Sequence, residues 1–352
     1  MRTKHRITEI DIAKAIGILC VFIGHRTSGV LHNYVYLFHM PLFLILSGCM
    51  IREEKVPGLR KFFSDNKLIA SYLVYSIIFV MFNLLRNQNF NSFLSDVGNS
   101  FTLFGIHTLW FLSGLWLSKI IIRFLFIINN RWIRDAIVAL FYIVCYWLCA
   151  LLIQLEYNGF AEKMLKSLSW SLVRTGVILI FVYLGFKLKK YIFSSISYFK
   201  NHLMIALLVM IVAGAVLIPF SLFEVLDYHL LINGLFILNI FYGLVGTIFI
   251  LSLSTIITLI FQRFIKPGVF IGKNSIHFMA SEFFGFSLIF ILNKLLGSYG
   301  YVKYIEFILY FMLLSLCIWI VAPLVDKLIN FVSKVIELIA IKLFKLKSLN
   351  DK

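Results

Sequence analysis

Long apolar segments follow one another along almost the whole chain. Each is close to the ~20 residues that a helix needs to cross ~30 Å of hydrocarbon, and 61% of all residues are hydrophobic while only 14% are charged. Because a bilayer core offers the backbone no water, such segments must satisfy their own hydrogen bonds as helices. The sequence therefore predicts an all-α, polytopic integral membrane protein and excludes a soluble one. The ten predicted spans are 10–30, 33–51, 68–85, 101–128, 132–153, 170–187, 203–222, 240–262, 275–296 and 303–325.

Basic residues mark one side of this predicted membrane domain. If the N-terminus is cytoplasmic, 24 of the 33 Lys and Arg residues fall in cytoplasmic segments and six in outer loops. Since cytoplasmic loops are enriched in Lys and Arg, this bias predicts that both termini are inside. The net charge of +17 then mainly reflects the topology of the chain. Anionic lipid and a cytosolic anionic ligand are additional predicted partners of the basic residues. Nucleic acid is not needed to explain it.

Lys14 and His25 are ionisable residues within the first apolar segment. At 100° per residue, their spacing puts His25 only ~20° round the helix from Lys14 and ~16 Å along it. Ionisable groups in a membrane helix usually face a protein interior or a wet cavity and mark a pathway or reaction centre. We therefore take this helix face as the first candidate site. Asp11 lies one turn below Lys14, at a spacing that permits an ion pair.

The chain is predicted to form one membrane domain, residues 1–325, followed by a basic amphipathic cytoplasmic tail, residues 326–352. No internal repeat or linker divides the domain, and the first apolar segment is interpreted as a span, not as a cleaved signal peptide. The five cysteines lie in apolar segments and are predicted to pack there, without a disulfide framework or a metal site. Residues 228–239 are either a connection or a short extra or re-entrant helix.

Four short strings occur in order along the chain. They are DIAKAIGILCVFIGH at 11–25, FHMPLFLILSG at 38–48, LWFLSGL at 109–115 and IGKNSI at 271–276. The first contains a basic residue followed eleven positions later by a histidine. With these strings in register, the chain resembles the acyltransferase-3 family of integral-membrane O-acyltransferases, particularly its short, single-domain, fucose-O-acetylase-like branch.

The resemblance implies transfer of an acyl group, usually acetyl, from acetyl-CoA or another acyl-CoA to a hydroxyl of an extracytoplasmic or lipid-linked glycan, in a bacterial cytoplasmic membrane. A sugar hydroxyl is a poor nucleophile at neutral pH, so a general base such as histidine assists it. His25 is the predicted base, or alternatively takes the acyl group covalently and relays it across the bilayer. Lys14 would anchor a CoA phosphate, and Asp11, counted with His25 in the catalytic set, would orient or neutralise Lys14.

Several other polar residues have two interpretations each. Arg174 would hold the acceptor or stabilise an oxyanion, or else would only snorkel to the interface. Glu282, which stands where many relatives have a histidine, would contact substrate or pair with Lys14. His39 and Ser47, in the second string, would contact substrate, or their string would only shape a helix bend at Pro41.

Two residues are predicted on the donor side. Trp110 of the third string would line the donor tunnel or pack in the core. The resemblance implies a cytosolic motif of two basic residues. Lys67 fills one of its positions, and Ser64 occupies the other in this chain. On the outer face, a pool of candidate sugar contacts comprises Asp96, His107, Glu156, Glu224, Asp227, His229 and Asn233.

A transporter or flippase without chemistry of its own is the competing class. Ten helices with ionisable residues would also suit a proton-coupled carrier of a glycan-related substrate. Such carriers are commonly built from inverted repeats, and none is visible in this sequence. The four strings therefore favour the enzyme.

Overall fold

A computed structural model describes residues 7–53, 66–154, 159–232, 234, 236–282 and 302–350. Within these ranges every regular element is helical except for one isolated antiparallel bridge between Asp227 and Ile232. The predicted all-α class is confirmed. The helices are α1 (Thr8–Arg26), α2 (Val30–Tyr36), α3 (His39–Cys49), α4 (Asn66–Asn87), α5 (Phe90–Phe101), a 3-10 turn (His107–Leu109), α6 (Trp110–Leu125), α7 (Arg131–Gln154), α8 (Phe160–Asn201), α9 (Leu203–Ser221), α10 (Phe236–Ile260), α11 (Lys266–Lys273), α12 (described over 275–282) and α13 (Val302–Asn350).

Eight stretches of helix in the described part of the chain are long and apolar enough to cross a membrane. They match the predicted second to eighth spans and the tenth. Helix α1, the predicted first span, is not among the eight because its apolar run includes Glu9, Asp11 and Lys14, but its 19 residues extend ~28 Å. The predicted ninth span begins with α12 and lies otherwise outside the described residues. The chain is an all-α, polytopic membrane protein.

The short apolar stretch at 228–239 does not begin as a helix. Asp227 and Ile232 exchange two backbone hydrogen bonds of 2.8 and 2.9 Å, which close a tight reversal of the chain. Leu231 within it has a positive φ of 57°. The alternative of an extra or re-entrant helix is therefore wrong for 228–232, and the next helix, α10, begins at Phe236.

Two helices are much longer than a bilayer is thick. Helix α8 has 42 residues and α13 has 49, lengths of ~63 and ~74 Å. Residues 326–350 continue α13 without a break. The separation of a cytoplasmic tail at residue 325 stays a prediction.

The chain divides into two compact units. The first comprises Met1–Met50, Leu184–Asp227 and Ile232–Ile320, and the second comprises Ile51–Tyr183, Tyr228–Leu231 and Val321–Lys352.

In the first unit, α1 is the central helix, against which α2, α3, α10 and α11 pack. Glycines permit the closest of these approaches, as small residues do at helix interfaces in membranes. A Cβ added at Gly17 would come within 2.8 Å of the Phe43 ring on α3, and one added at Gly272 on α11 would overlap the backbone carbonyl of Asp11. Parts of the first, second and fourth sequence strings therefore meet on α1.

In the second unit, α4 packs against α5 and α6, while α7 presents a broad apolar surface. Trp132, Leu140 and Trp147 on α7 are each more than three-fifths exposed. In a soluble protein such a surface would be a site of association. In a membrane it is the surface that lipid covers, since lipid tails are as apolar as these side chains.

Replacing Gly272 by alanine should destabilise the first unit. The new Cβ would meet the backbone of α1 at Asp11, so one helix must move, and overpacking of this kind typically costs about 1–3 kcal/mol. The measurement is thermal unfolding of the purified protein in detergent micelles.

The matched control is Gly98→Ala in α5, where the added Cβ would make only ordinary contacts of 3.6 Å or more with the Met164 side chain. Equal melting temperatures for the two variants would contradict the close approach of α11 to α1.

Candidate active site

A histidine and a carboxylate meet at one end of α1. His25, next to the last residue of that helix, donates a hydrogen bond from Nδ1 to Oε1 of Glu282 on α12. The Glu282 side chain is 2% exposed, whereas that of His25 is 30% exposed. A carboxylate at Nδ1 holds the proton on that nitrogen and orients the ring, so Nε2 carries the lone pair. His25 is thus an accessible imidazole that is set up to accept a proton.

The Glu282 carboxylate is costly to bury, and its ion pair with His25 compensates part of that cost. Its second oxygen, Oε2, is buried and has no hydrogen-bond partner among those residues. Tyr310 on α13 donates to the backbone carbonyl of Glu282 at 3.3 Å. Because Lys14 and His25 are ~16 Å apart on one helix, a carboxylate bonded to His25 does not reach Lys14. Of the two interpretations of Glu282, pairing with Lys14 is therefore excluded.

An aromatic cluster lies beside this pair. The Tyr36 ring at the end of α2 is stacked on His32 at 4.0 Å, meets the edge of His39 at 4.7 Å, and lies 6.1 Å from the His25 ring. The Tyr36 ring also packs on Gly24, where a Cβ would come within 2.7 Å of it. A large side chain at position 24 would displace the ring from His25.

Two histidines of this cluster are fixed through Nδ1. His32 donates to the carbonyl of Gly24 at 2.7 Å, and the buried His39 donates to that of Val35 at 2.8 Å. The helix breaks between Tyr36 and His39, ahead of Pro41, which sits in the first turn of α3 where proline is tolerated. The His39 bond to Val35 bridges this break, and its substrate contact stays a prediction.

The other predicted residues of the first unit lie along α1 and α3. Asp11 is buried and Lys14 is partly buried, one turn apart on α1, and Ser47 is partly buried on α3. In the second unit, Lys67 is exposed in the first turn of α4.

A buried carboxylate that sequence reasoning did not select lies at the start of α1. Glu9 accepts from Lys200 at 2.8 Å and from Thr258 at 3.3 Å. Its side chain is 5% exposed, while that of Lys200 is 44% exposed. The ion pair compensates the buried negative charge of Glu9, at the end of α1 opposite His25. The two partners of Glu9 lie on α8 and α10.

In the second unit, Arg174 on α8 is enclosed by aromatic rings. Its Cζ lies 4.9 Å from the centre of the Phe104 ring and 5.1 Å from that of Trp110. Nη2 donates to the Phe104 carbonyl at 2.7 Å and Nη1 donates to His229 Nδ1 at 3.0 Å. Arg174 is 1% exposed, so it does not snorkel to the interface. The bond to Nδ1 leaves the proton of a neutral His229 on Nε2.

The loop before α6 is strained where it meets Arg174. Leu103 and His107 have positive φ values of 58° and 49°, and Gly105 between them has 81°. Non-glycine residues in this region cost ~1–3 kcal/mol each and persist where surrounding contacts hold them. Here Ser113 donates to the Leu103 carbonyl at 2.7 Å and Arg174 holds the next carbonyl. These contacts thus hold the loop that leads into the third sequence string.

Sequence reasoning did not select Tyr36 or His32, and left His229 in an undifferentiated pool. A signal for the first two exists, since 32, 36 and 39 follow the i+4 and i+3 spacing of one helix face. For Glu9 and Glu282 no local pattern names the partner. Among the described residues, no group of three or more His, Cys, Asp or Glu side chains could hold a metal ion.

Comparison with known protein families gives a match over most of the chain. The family model described as an acyltransferase domain matches residues 7–325, most of the chain, including both groups of residues described above. No curated protein and no solved structure matches significantly.

Replacing Arg174 by lysine should destabilise the second unit. An ammonium cannot reach both the Phe104 carbonyl and His229 Nδ1 as the planar guanidinium does, and each buried acceptor left unbonded costs about 1–3 kcal/mol. Thermal unfolding in detergent measures the loss.

The matched control is Arg131→Lys, because Arg131 is exposed on α7 and lies over the Trp132 ring at 5.4 Å. Exposed substitutions of this kind stay within about 0.5 kcal/mol of the parent. If Arg174→Lys had the same melting temperature as the parent protein, Arg174 would not be the residue that holds the strained loop.

Proposed function

Since the chain belongs to the acyltransferase-3 family, we propose that this membrane acyltransferase moves an acyl group, acetyl in the first instance, from cytosolic acyl-CoA to a hydroxyl of an extracytoplasmic or lipid-linked glycan. The observation that carries the proposal is the pair formed by His25 and Glu282. It supplies the oriented base that a weakly nucleophilic hydroxyl needs. The proposed setting is a bacterial cytoplasmic membrane with both termini inside.

In the proposed reaction, Nε2 of His25 takes the proton of the acceptor hydroxyl as its oxygen attacks the thioester carbonyl carbon. The carbon–sulfur bond then breaks, and the CoA thiolate receives the proton from Nε2. Glu282 keeps its hydrogen bond to Nδ1 throughout and stabilises the imidazolium that forms between the two steps, as the carboxylate does in other histidine–carboxylate pairs. Atoms and charges balance without another reactant.

Lys14 is the proposed anchor for the donor. It lies on the same face of α1 as His25 and ~16 Å away, at the end that the charge distribution assigns to the cytosol. An ammonium at that depth can hold a CoA phosphate while the acyl-pantetheine arm extends towards His25. Asp11, buried one turn below, is the proposed residue that orients Lys14. Lys67, exposed at the predicted cytosolic end of α4, is a further proposed phosphate contact.

In the second unit, taken by itself, the cluster around Arg174 is a proposed sugar contact. Trp110 is the first residue of α6, and its ring lies 5.1 Å from Arg174 Cζ and 5.9 Å from the His229 ring. Aromatic rings and the Nε2–H of a neutral His229 suit a sugar, which presents apolar ring faces and hydroxyl oxygens, while the buried Arg174 holds these groups in place. The role of Trp110 in lining the donor tunnel stays a prediction.

His25→Ala should lower the rate of acyl transfer by about 10²–10⁴-fold, the usual effect of losing a general base. Because the change also leaves the buried Glu282 carboxylate without its ion-pair partner, thermal unfolding of the variant in detergent is measured alongside its activity. The assay follows labelled acetyl-CoA in detergent or proteoliposomes, scoring transfer to added glycan and hydrolysis to free acetate.

His202→Ala is the matched control, since His202 is exposed and its ring is stacked on Tyr198 away from the site. Full activity of His25→Ala would remove His25 from the mechanism. Label bound covalently to the parent protein without acceptor, and absent from His25→Ala, would assign His25 the acyl-carrier role instead. Absence of transfer and hydrolysis together with solute uptake in proteoliposomes would favour a carrier.

Lys14→Ala should raise the KM for acyl-CoA with little change in kcat. A phosphate contact far from the reacting carbonyl is equally strong in the ground state and the transition state, and a charge-assisted hydrogen bond of ~1.5–3 kcal/mol corresponds to about 10–150-fold in KM. Steady-state kinetics with varied acyl-CoA measures it.

Lys14→Arg, which keeps the positive charge, should restore most of the donor affinity. A change confined to the affinity for the glycan would show that Lys14 faces the acceptor, and the proposed orientation of the site would be wrong.

A further inference from the structure

We propose that the hydroxyl of Tyr36 is a second catalytic group, which donates a hydrogen bond to the carbonyl oxygen of the acyl group as that oxygen becomes negatively charged. The inference rests on the proposed acyl transfer at His25 and adds a residue that the sequence strings do not mark. It is carried by the place of the Tyr36 ring beside His25 and by the state of its hydroxyl.

The Tyr36 ring is held more firmly than its position at the end of a seven-residue helix would require. His32 covers one face at 4.0 Å and His39 meets the ring at 4.7 Å. Both histidines are themselves tied to backbone carbonyls, and the ring edge rests on Gly24, the residue before His25. A group held from several sides costs no reorganisation at the moment of reaction.

In the described ranges, no hydrogen bond of the Tyr36 hydroxyl explains this fixation. Within the described part of the chain the Tyr36 hydroxyl has no hydrogen-bond partner. The hydroxyl is not fully buried, so a ligand can reach it. Tyr36 as a whole is 9% exposed. The neighbouring Tyr34 differs, since its hydroxyl donates to the Gly214 carbonyl at 3.1 Å. Tyr34 therefore has a structural hydroxyl bond, while the Tyr36 hydroxyl is accessible and belongs to a ring 6.1 Å from that of His25.

The chemistry of acyl transfer needs such a donor. When the acceptor oxygen bonds to the thioester carbon and its proton passes to His25 Nε2, the carbonyl oxygen gains a full negative charge. Tyr36 donates its O–H to that oxygen and keeps its own proton. The C=O bond then re-forms, the C–S bond breaks, and the thiolate takes the proton from His25. Tyr36 is thus unchanged after each turnover.

Tyr36→Phe should lower kcat by about 10²–10³-fold, the usual effect of removing one oxyanion donor. The ring and its contacts with His32 and His39 remain, so the melting temperature should stay at the parent value. The KM for acyl-CoA should also stay at the parent value, because the hydrogen bond forms only in the transition state. A merely structural tyrosine would change stability or KM instead.

Tyr34→Phe is the matched control, which removes a hydroxyl from the same helix and should leave kcat unchanged. Parent protein and His25→Ala are measured in the same assay. Unchanged kcat in Tyr36→Phe, or a rise in KM alone, with an active parent and inactive His25→Ala, overturns the role of Tyr36 and leaves the proposed function standing. An inactive parent, or an active His25→Ala, overturns the proposed function and this inference with it.

Discussion

Charged side chains in a membrane helix must find partners on other helices, and α1 concentrates this demand. Glu9 near one end is neutralised by Lys200 from α8, and His25 near the other end is bonded to Glu282 from α12. Each carboxylate is almost fully buried, so its charge would be prohibitive without that contact. The placing of α8 and α12 around α1 therefore follows from the chemistry of α1 as much as from apolar packing. Close approach at Gly272 adds α11 to the same arrangement.

The second unit meets the same constraint with a different set of groups. Arg174 is enclosed by two aromatic rings, a carbonyl and a histidine. Such an environment uses the planar guanidinium fully, since rings cover its faces while its edge donates hydrogen bonds. The strained loop before Trp110 is held by those bonds. The contacts that offset the cost of burying Arg174 also hold the rings of Phe104 and Trp110 in place. These rings are part of the proposed sugar contact.

Glu282 acquires a physical meaning in the fold. From the sequence its role was open between substrate contact and pairing with Lys14. The position of α12 brings its carboxylate to Nδ1 of His25. That contact gives the imidazole one tautomer and leaves Nε2 for the reaction. The stacked ring of Tyr36, on a separate helix, completes a group of three residues whose proposed roles are base, orienting carboxylate and oxyanion donor.

Local sequence was sufficient for the class, most spans and the shared face of Lys14 and His25, because hydropathy and a 3.6-residue period are properties of contiguous residues. The same local reasoning left 228–239 open, where two backbone hydrogen bonds make a reversal. It could not supply the partner of His25, because Glu282 lies 257 positions away and no period connects them. Only the tertiary structure decided which buried charges meet, since that depends on how separate helices pack to satisfy groups that lipid cannot solvate.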